Sequence, residues 1–537
     1  MNRNLKLLLI VAPLLAAYPV AAWVVGGQVE SAIDQQYQLL AENPSLKVVE
    51  RDYRRGLFGA TETVTFELFG DMTRALARQR PAAAADAAPP GNAEQGGQAG
   101  PQDAPPPQSL RVSVRSVIRH GPLAGFSKLA AAVVDSELVL DGDQQQRLLA
   151  VFGNEKPLRV HTEYRFDGGG ASTLSSPAFS THWPAAQGAG QNTLAWDGVQ
   201  IAVDFEKGMK RYTLKADAPR LDLRDSEGGG LRMTDMRLTG EQQRVFDDDA
   251  LLYAGTQQLT VAELGIRSGK EGDVPILLRQ LRYAAEMPVN GEFLDVVARL
   301  GTESLLVGGK DFGPAHYDVS LRHLHARTAA TLYRTLVKTY ADPALSEAAA
   351  TDPAKLLAPL ARPAAALLQH DPVLSIDRLS FRSPHGEALL KARVGLKGMQ
   401  ADDLANPLML LAKLDASAEV ALPEALIGEL GKAGPAADET AGDRGEMLQQ
   451  RLAGFVDQGL VVRDGPMLRT RLAFAGGRMH VNGKPFNPLA VAPGKPGPAP
   501  MALPPGAPAG RNVPNVQNAP PGRIVSEASG MPMSPLM

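Results

Sequence analysis

Thr61-Glu62-Thr63-Val64-Thr65-Phe66-Glu67-Leu68-Phe69 sets Val64, Phe66 and Leu68 in alternation with Thr63, Thr65 and Glu67. Successive strand side chains point to opposite faces, so the stretch reads as a β-strand with one apolar and one wet face. Working outward, the pattern recurs. Upstream, Lys47–Tyr53 reads as a strand, closed by the turn Arg55-Gly56-Leu57-Phe58-Gly59. Downstream, Leu110, Val112 and Val114 oppose Arg111, Ser113 and Arg115, and a turn at His120-Gly121-Pro122 follows. Leu158, Val160, Thr162, Tyr164 and Phe166 oppose Arg159, His161, Glu163 and Arg165. Further strands are predicted at 133–140, 194–196, 199–205, 211–216, 220–224, 232–239, 258–266 and 276–284. Turn formers join them: Asp197-Gly198, Lys207-Gly208 and Glu227-Gly228-Gly229-Gly230. The fold class is therefore α+β, predominantly a long, curved, hairpin-built antiparallel β-sheet.

Helical spacing interrupts the strands. Short helices are predicted at 125–132 and 292–300. Leu332, Tyr333, Leu336 and Val337 mark an amphipathic helix from Ala326. Asp352 as N-cap and Pro353 open a second one, which ends at Asp371-Pro372. This helical insertion, 326–370, follows a strand at 317–325. The sheet then resumes with a bulge near Asp377-Arg378, where the apolar phase passes from Leu374 and Ile376 to Leu379 and Phe381. Strands at 388–396 and 413–422, helices within 423–458, and a hairpin pairing Phe474 with Met479 across Gly476-Gly477 complete the body.

The N-terminus has a different character. Leu7 to Gly27, LLLIVAPLLAAYPVAAWVVGG, holds no charge and follows Arg3 and Lys6. As a helix it extends ~31 Å, about the thickness of a bilayer core. Val20-Ala21-Ala22 fits the cleavage site of a secretory signal, but the apolar run continues through Trp23, Val24 and Val25, which favours a retained anchor. Both readings export the body. Val29, Ile33, Tyr37 and Leu40 then predict a stalk helix that packs on the body. The organisation is a cytoplasmic 1–6, a transmembrane signal-anchor 7–27, the start of a periplasmic body at 28–79, an Ala/Pro/Gly linker at 80–108, the main β-rich body at 109–487 and a Pro-rich tail at 488–537. The linker and tail cannot bury enough apolar surface to offset the entropy of ordering them.

Composition excludes several classes. The 537 residues carry a net charge of -3 and no cysteine. No basic field for nucleic acid exists, and disulfides and thiolate chemistry are ruled out. No G-x-S-x-G, H-E-x-x-H, Walker-type loop or dinucleotide fingerprint occurs. His323 and His325 share a strand face and suit a metal only if a third ligand converges. Asp247-Asp248-Asp249 lacks EF-hand spacing and reads as a solvated turn. Gly56 and Gly59 suit either an anion cradle or, preferentially, a tight turn that tucks Leu57 and Phe58 into the core. His120 has only Arg119 as a local partner, too little for catalysis. No cofactor is expected.

In order and spacing, Tyr53-Arg54-Arg55-Gly56-Leu57-Phe58-Gly59, Arg119-His120-Gly121-Pro122-Leu123, Asp371-Pro372-Val373-Leu374-Ser375-Ile376, Gly386-Glu387-Ala388-Leu389, Phe474-Ala475-Gly476-Gly477 and Asn482-Gly483-Lys484 resemble the YdgA family of bacterial envelope proteins. The resemblance implies a Gram-negative inner-membrane protein with a periplasmic body, of unknown function and without assigned catalytic residues. The motif positions it marks as structural or binding are Arg55, Gly56, Leu57, Phe58, Gly59, His120, Gly121 and Pro122. The leading expectation is a non-enzymatic binder of a lipid-like, apolar ligand or an envelope partner along its sheet. A homodimeric scaffold and an envelope hydrolase with a non-local site are the alternatives.

Overall fold

A computed structural model describes, with short interruptions, residues 18–37, 46–68, 110–139, 146–427 and 450–487. The linker at 80–108, the tail from 488 and most of the 7–27 segment lie outside these. The fold is mostly antiparallel β-sheet with a few helices, and the described residues form 25 strands in one sheet.

The chain adds strands to this sheet largely in sequence order. β1 (Leu46–Arg55), β2 (Gly59–Leu68), β3 (Leu110–His120), β4 (Ala132–Val139), β5 (Arg159–Tyr164) and β6 (Gly170–Ser176) pair successively. A hairpin of β7 (Phe179–Pro184) and β8 (Gln191–Trp196) follows, then β9 (Val199–Phe205). β6 pairs with β9, and β10 (Arg211–Arg224) takes β9 along one half and β8 along the other. The two strands predicted at 211–216 and 220–224 are thus one. β11 (Gly230–Arg244), β12 (Tyr253–Arg267) and β13 (Ile276–Glu286) continue the series. After β14 (Val289–Asn290), β15 (Phe293–Thr302) and β16 (Ser304–Val307) both lie against β13; β17 (Lys310–Asp311) pairs with β16, and β18 (Ala315–His325) with β15. β19 (Val373–Ser383), β20 (Gly386–Leu396), β21 (Leu414–Pro423), β22 (Val462–Asp464), β23 (Met467–Ala475), β24 (Arg478–Val481) and β25 (Lys484–Phe486) complete it.

Two predicted helices are corrected. Residues 292–300 form strand β15. The apolar spacing of Phe293, Leu294, Val296 and Val297 looks helical because a bulge between Leu294 and Val296 resets the strand phase. Residues 125–132 form an irregular loop, closed by an Ala124–Lys128 bridge, that enters β4. The bulge near Asp377-Arg378 is present as a register shift between Ile376 and Leu379, and Phe474 pairs with Met479.

Helix α1 comprises the described residues 18–19, 21–35 and 37. Its stripe of Val25, Val29, Ile33 and Tyr37 packs on Ala60, Ile118, Ala132 and Val134 of β2, β3 and β4. Its described part from Tyr18 to Gly27 belongs to the stretch assigned to a membrane span. Among the described residues no helix is long and apolar enough to cross a membrane. α2 (Ala326–Ala341) and α3 (Ala354–Leu368) form the helical insertion. The Asp352 carboxylate accepts the Ala354 N–H (3.1 Å), as an N-cap should. Leu294, Leu324 and Ala326 form their buried junction with the sheet, together with Leu321, Ala329 and Leu367. A short α4 (Pro407–Lys413), capped by Asn406, precedes β21. Of the helices expected within 423–458, residues 424–427 and 450–457 are helical. Contacts divide the chain after Phe486.

Candidate functional site

The motif residues come together around α1. The β1–β2 turn closes through Gly56 N–H donating to the Gly59 carbonyl (2.7 Å), and the end of β3 joins it through His120 N–H donating to the Phe58 carbonyl (3.1 Å). Glycine is required at position 59 because a Cβ there would stand 2.6 Å from the Ile118 carbonyl. The two loops grip small residues of the helix. The His120 side chain is fully buried, and Nδ1 lies 3.0 Å from the Ala22 carbonyl, to which it donates. Gly26 lies flat against the imidazole; a Cβ on it would sit 2.5 Å from Cε1. A Cβ on Gly121, whose φ is +124°, would meet the Ala22 methyl at 3.1 Å. Ala22 and Gly26 are one helical turn apart, so the helix offers the loops a smooth face.

Charges fix the helix axially. Arg55 reaches Glu30 (3.1 Å) and the Trp23 carbonyl, with its guanidinium 4.9 Å from the Trp23 ring centroid. Arg51 bridges Asp34 and the buried Glu62, each at 2.6 Å, and the Tyr37 hydroxyl donates to the other Glu62 oxygen (3.2 Å). Burial pushes the Tyr53 hydroxyl up to about 12. Burial also holds the His120 imidazole below its usual range. Among the described residues, its Nε2, with Arg55 Nε, Arg51 Nη2 and Tyr53 Oη, is buried and meets no hydrogen-bond partner. Leu57 is 46 % exposed rather than tucked into the core. Phe58 instead stacks on Tyr18, 5.8 Å between centroids. The arrangement can clamp a helix at a fixed height; it holds no nucleophile–base pair.

Other polar clusters have structural partners. His323, His325 and His370 gather on Phe293: His323 stacks on its ring (4.0 Å), and His325 stacks on His370 (4.2 Å). His370, which sequence reasoning did not single out, is the third histidine. Among the described residues no group of three or more potential ligands is placed to hold a metal. His161 donates to two carboxylates, Asp135 from Nδ1 (2.7 Å) and Glu163 from Nε2 (3.0 Å), which raise its pKa and leave neither nitrogen for a nucleophile. The acidic run is a latch: Asp247 pairs with Lys210 (2.8 Å), Asp248 with Arg327 (2.7 Å), and Asp249 is buried against Arg334 of α2 at 2.5 Å.

The largest apolar feature is the sheet itself. Directly opposed residues in antiparallel strands share a face. Trp196, Leu221, Met233, Leu264, Leu278 and Leu305 are opposed in turn across six strands, all part-exposed. Two residues along, a parallel row includes Leu223, Ile266 and Ile276, 37, 43 and 37 % exposed. A third row runs from Tyr283 through Leu300, Tyr317, Leu379 and Leu390 to Val420. A layer packed over these rows would bury them. Among the described residues, α2 and α3 cover only the level of Leu294 and Leu324.

Fold and site thus define a long single-sheet protein with a clasped N-terminal helix. The chain belongs to a bacterial protein family of unknown function, DUF945, whose family model matches residues 1–488. No curated protein and no solved structure matches it.

Proposed function

We propose that this chain is a non-enzymatic envelope protein, anchored in the inner membrane through its apolar 7–27 segment with its body in the periplasm, that holds a lipid-like ligand along the apolar rows of its sheet. The narrower kinship with YdgA proteins of Gram-negative envelopes belongs to the same reading. The observation that carries it is the row Trp196–Leu221–Met233–Leu264–Leu278–Leu305, six large apolar side chains on one face, all left part-exposed. Each methylene of an acyl chain removed from water on such a surface contributes ~0.8 kcal/mol. The clasp supports the anchored part, since it fixes the body to the end of an apolar segment.

The test is lipid extraction and mass spectrometry on the full chain purified from bacterial membranes in mild detergent. Stoichiometric phospholipid or another acyl lipid is expected, and its loss in a Leu264→Asp, Leu278→Asp double variant that still elutes as a folded protein. A lipid-free wild-type chain, or equal lipid in the variant, refutes the ligand.

A further inference from the structure

A second concentration of exposed large apolar side chains lies where α1 enters the body. Leu57, Leu123, Phe126 and Leu129 are 46, 44, 67 and 76 % exposed, and Trp23 is 58 % exposed. The β1–β2 turn supplies the first, the β3–β4 loop the next three, and α1 the last. Tyr18 joins them: its ring is 5.8 Å from Phe58 and 5.5 Å from Phe126, and its hydroxyl donates to the Leu123 carbonyl at 2.8 Å. The residues before Tyr18 are LLLIVAPLLAA, positions 7–17, without a charge. The patch is therefore continuous with the apolar N-terminal segment.

Length then decides what covers it. The clasp of His120 and Gly121 holds α1 from Ala22 onward. Tyr18 already packs on the body, and the uncharged positions ahead of it, 7–17, number 11, a length of ~16 Å at helical rise. A bilayer core is ~30 Å thick. The shortfall of ~14 Å requires local thinning of the bilayer or protein surface that enters it. Apolar loops at the point where the segment leaves the body supply that surface. Tyr18 and Trp23 are the aromatic types favoured at such a boundary, and Arg54 and Lys128, which pair with Asp52 and Glu163, stand on β1 and the β3–β4 loop that carry the patch.

We infer that this patch is a foot embedded in a lipid surface: the tips of the β1–β2 turn and the β3–β4 loop sit in the interface of the body-side leaflet. The inference rests on the membrane-anchored reading above, and its test separates the two. The chain has no cysteine, so Leu9→Cys, Leu57→Cys, Phe126→Cys, Leu129→Cys and Arg478→Cys each give one labelling site. Each full-length variant is labelled with an environment-sensitive fluorophore and reconstituted into phosphatidylethanolamine/phosphatidylglycerol vesicles carrying nitroxide lipids at shallow or deep positions. Labels at 57, 126 and 129 are expected to blue-shift and lose intensity to the shallow nitroxide; the label at 9 responds to the deep one and that at 478 to neither. Labels at 57, 126 and 129 that stay unquenched while position 9 is quenched overturn the foot and leave the anchor standing. A blue shift without nitroxide quenching assigns the patch to a second copy and also overturns it. If position 9 is unquenched as well, the anchored reading fails, and the foot with it.

Discussion

At the residue scale, Gly26 and His120 set the clasp. A methyl at 26 collides with the imidazole at 2.5 Å, and both groups are fixed by backbone. Overpacking of this kind costs about 1–3 kcal/mol. Gly26→Ala is expected to lower the urea midpoint of the full chain in detergent. Gly27→Ala, whose Cβ would meet the flexible Arg55 guanidinium at 3.3 Å, is expected to shift it far less. Equal midpoints for the two variants would contradict the clasp. His120 also makes the joint sensitive to acid. Folded His120 resists protonation more than unfolded His120 does, because burial disfavours its charged form. Its contribution is complete above the ordinary histidine value, about 6.5, and is lost as pH falls from there through the lowered value. Hydrogen exchange at the amides of 22–26, corrected for intrinsic rates, is expected to accelerate below pH 6.5 in the wild type. In His120→Gln it is expected to be independent of pH.

At the element scale, two latches hold helices to the sheet. Glu62 is buried under α1 and satisfied by Arg51 and Tyr37. Glu62→Ala leaves Arg51 with Asp34 alone and removes the acceptor of the Tyr37 hydroxyl, a loss of about 1–3 kcal/mol. α1 is expected to become accessible to protease in that variant, while β10–β13 keep their amide protection. Leu294 and Leu324 anchor α2 and α3, and Leu324→Ala is expected to cost about 2–5 kcal/mol by the same denaturation readout. Strands were legible where one face is apolar and the other polar, as in β2 and β3, because alternation is then in the residues themselves. β6, GASTLSS, and β7, FSTHWP, carry no such alternation and are held by backbone pairing. β15 was hidden by its bulge. The motif turns were legible as turns, but their partner was not. Nothing within Arg55–Gly59 or His120–Pro122 states that they grip Ala22 and Gly26, about 100 positions away from His120. The small pair at 22 and 26 was the available signal, masked by lying inside an apolar run that satisfies a membrane reading on its own.

At the scale of the whole molecule, the sheet is an unusual solution to a general constraint. An apolar sheet face needs another layer, and among the described residues the row from Trp196 to Leu305 stays part-exposed. The proposed lipid-like ligand would supply that layer. Adjacent positions on one strand provide the control, because Met233 lies in the apolar row and Arg232 points to the opposite face. The most direct measurement is site-specific photo-crosslinking in living bacteria, with a benzophenone amino acid at 233 or at 232 of the full chain, followed by mass spectrometry of the adducts. The account predicts acyl-lipid adducts from position 233 and none from position 232. Adducts from neither position, or from both alike, would contradict it.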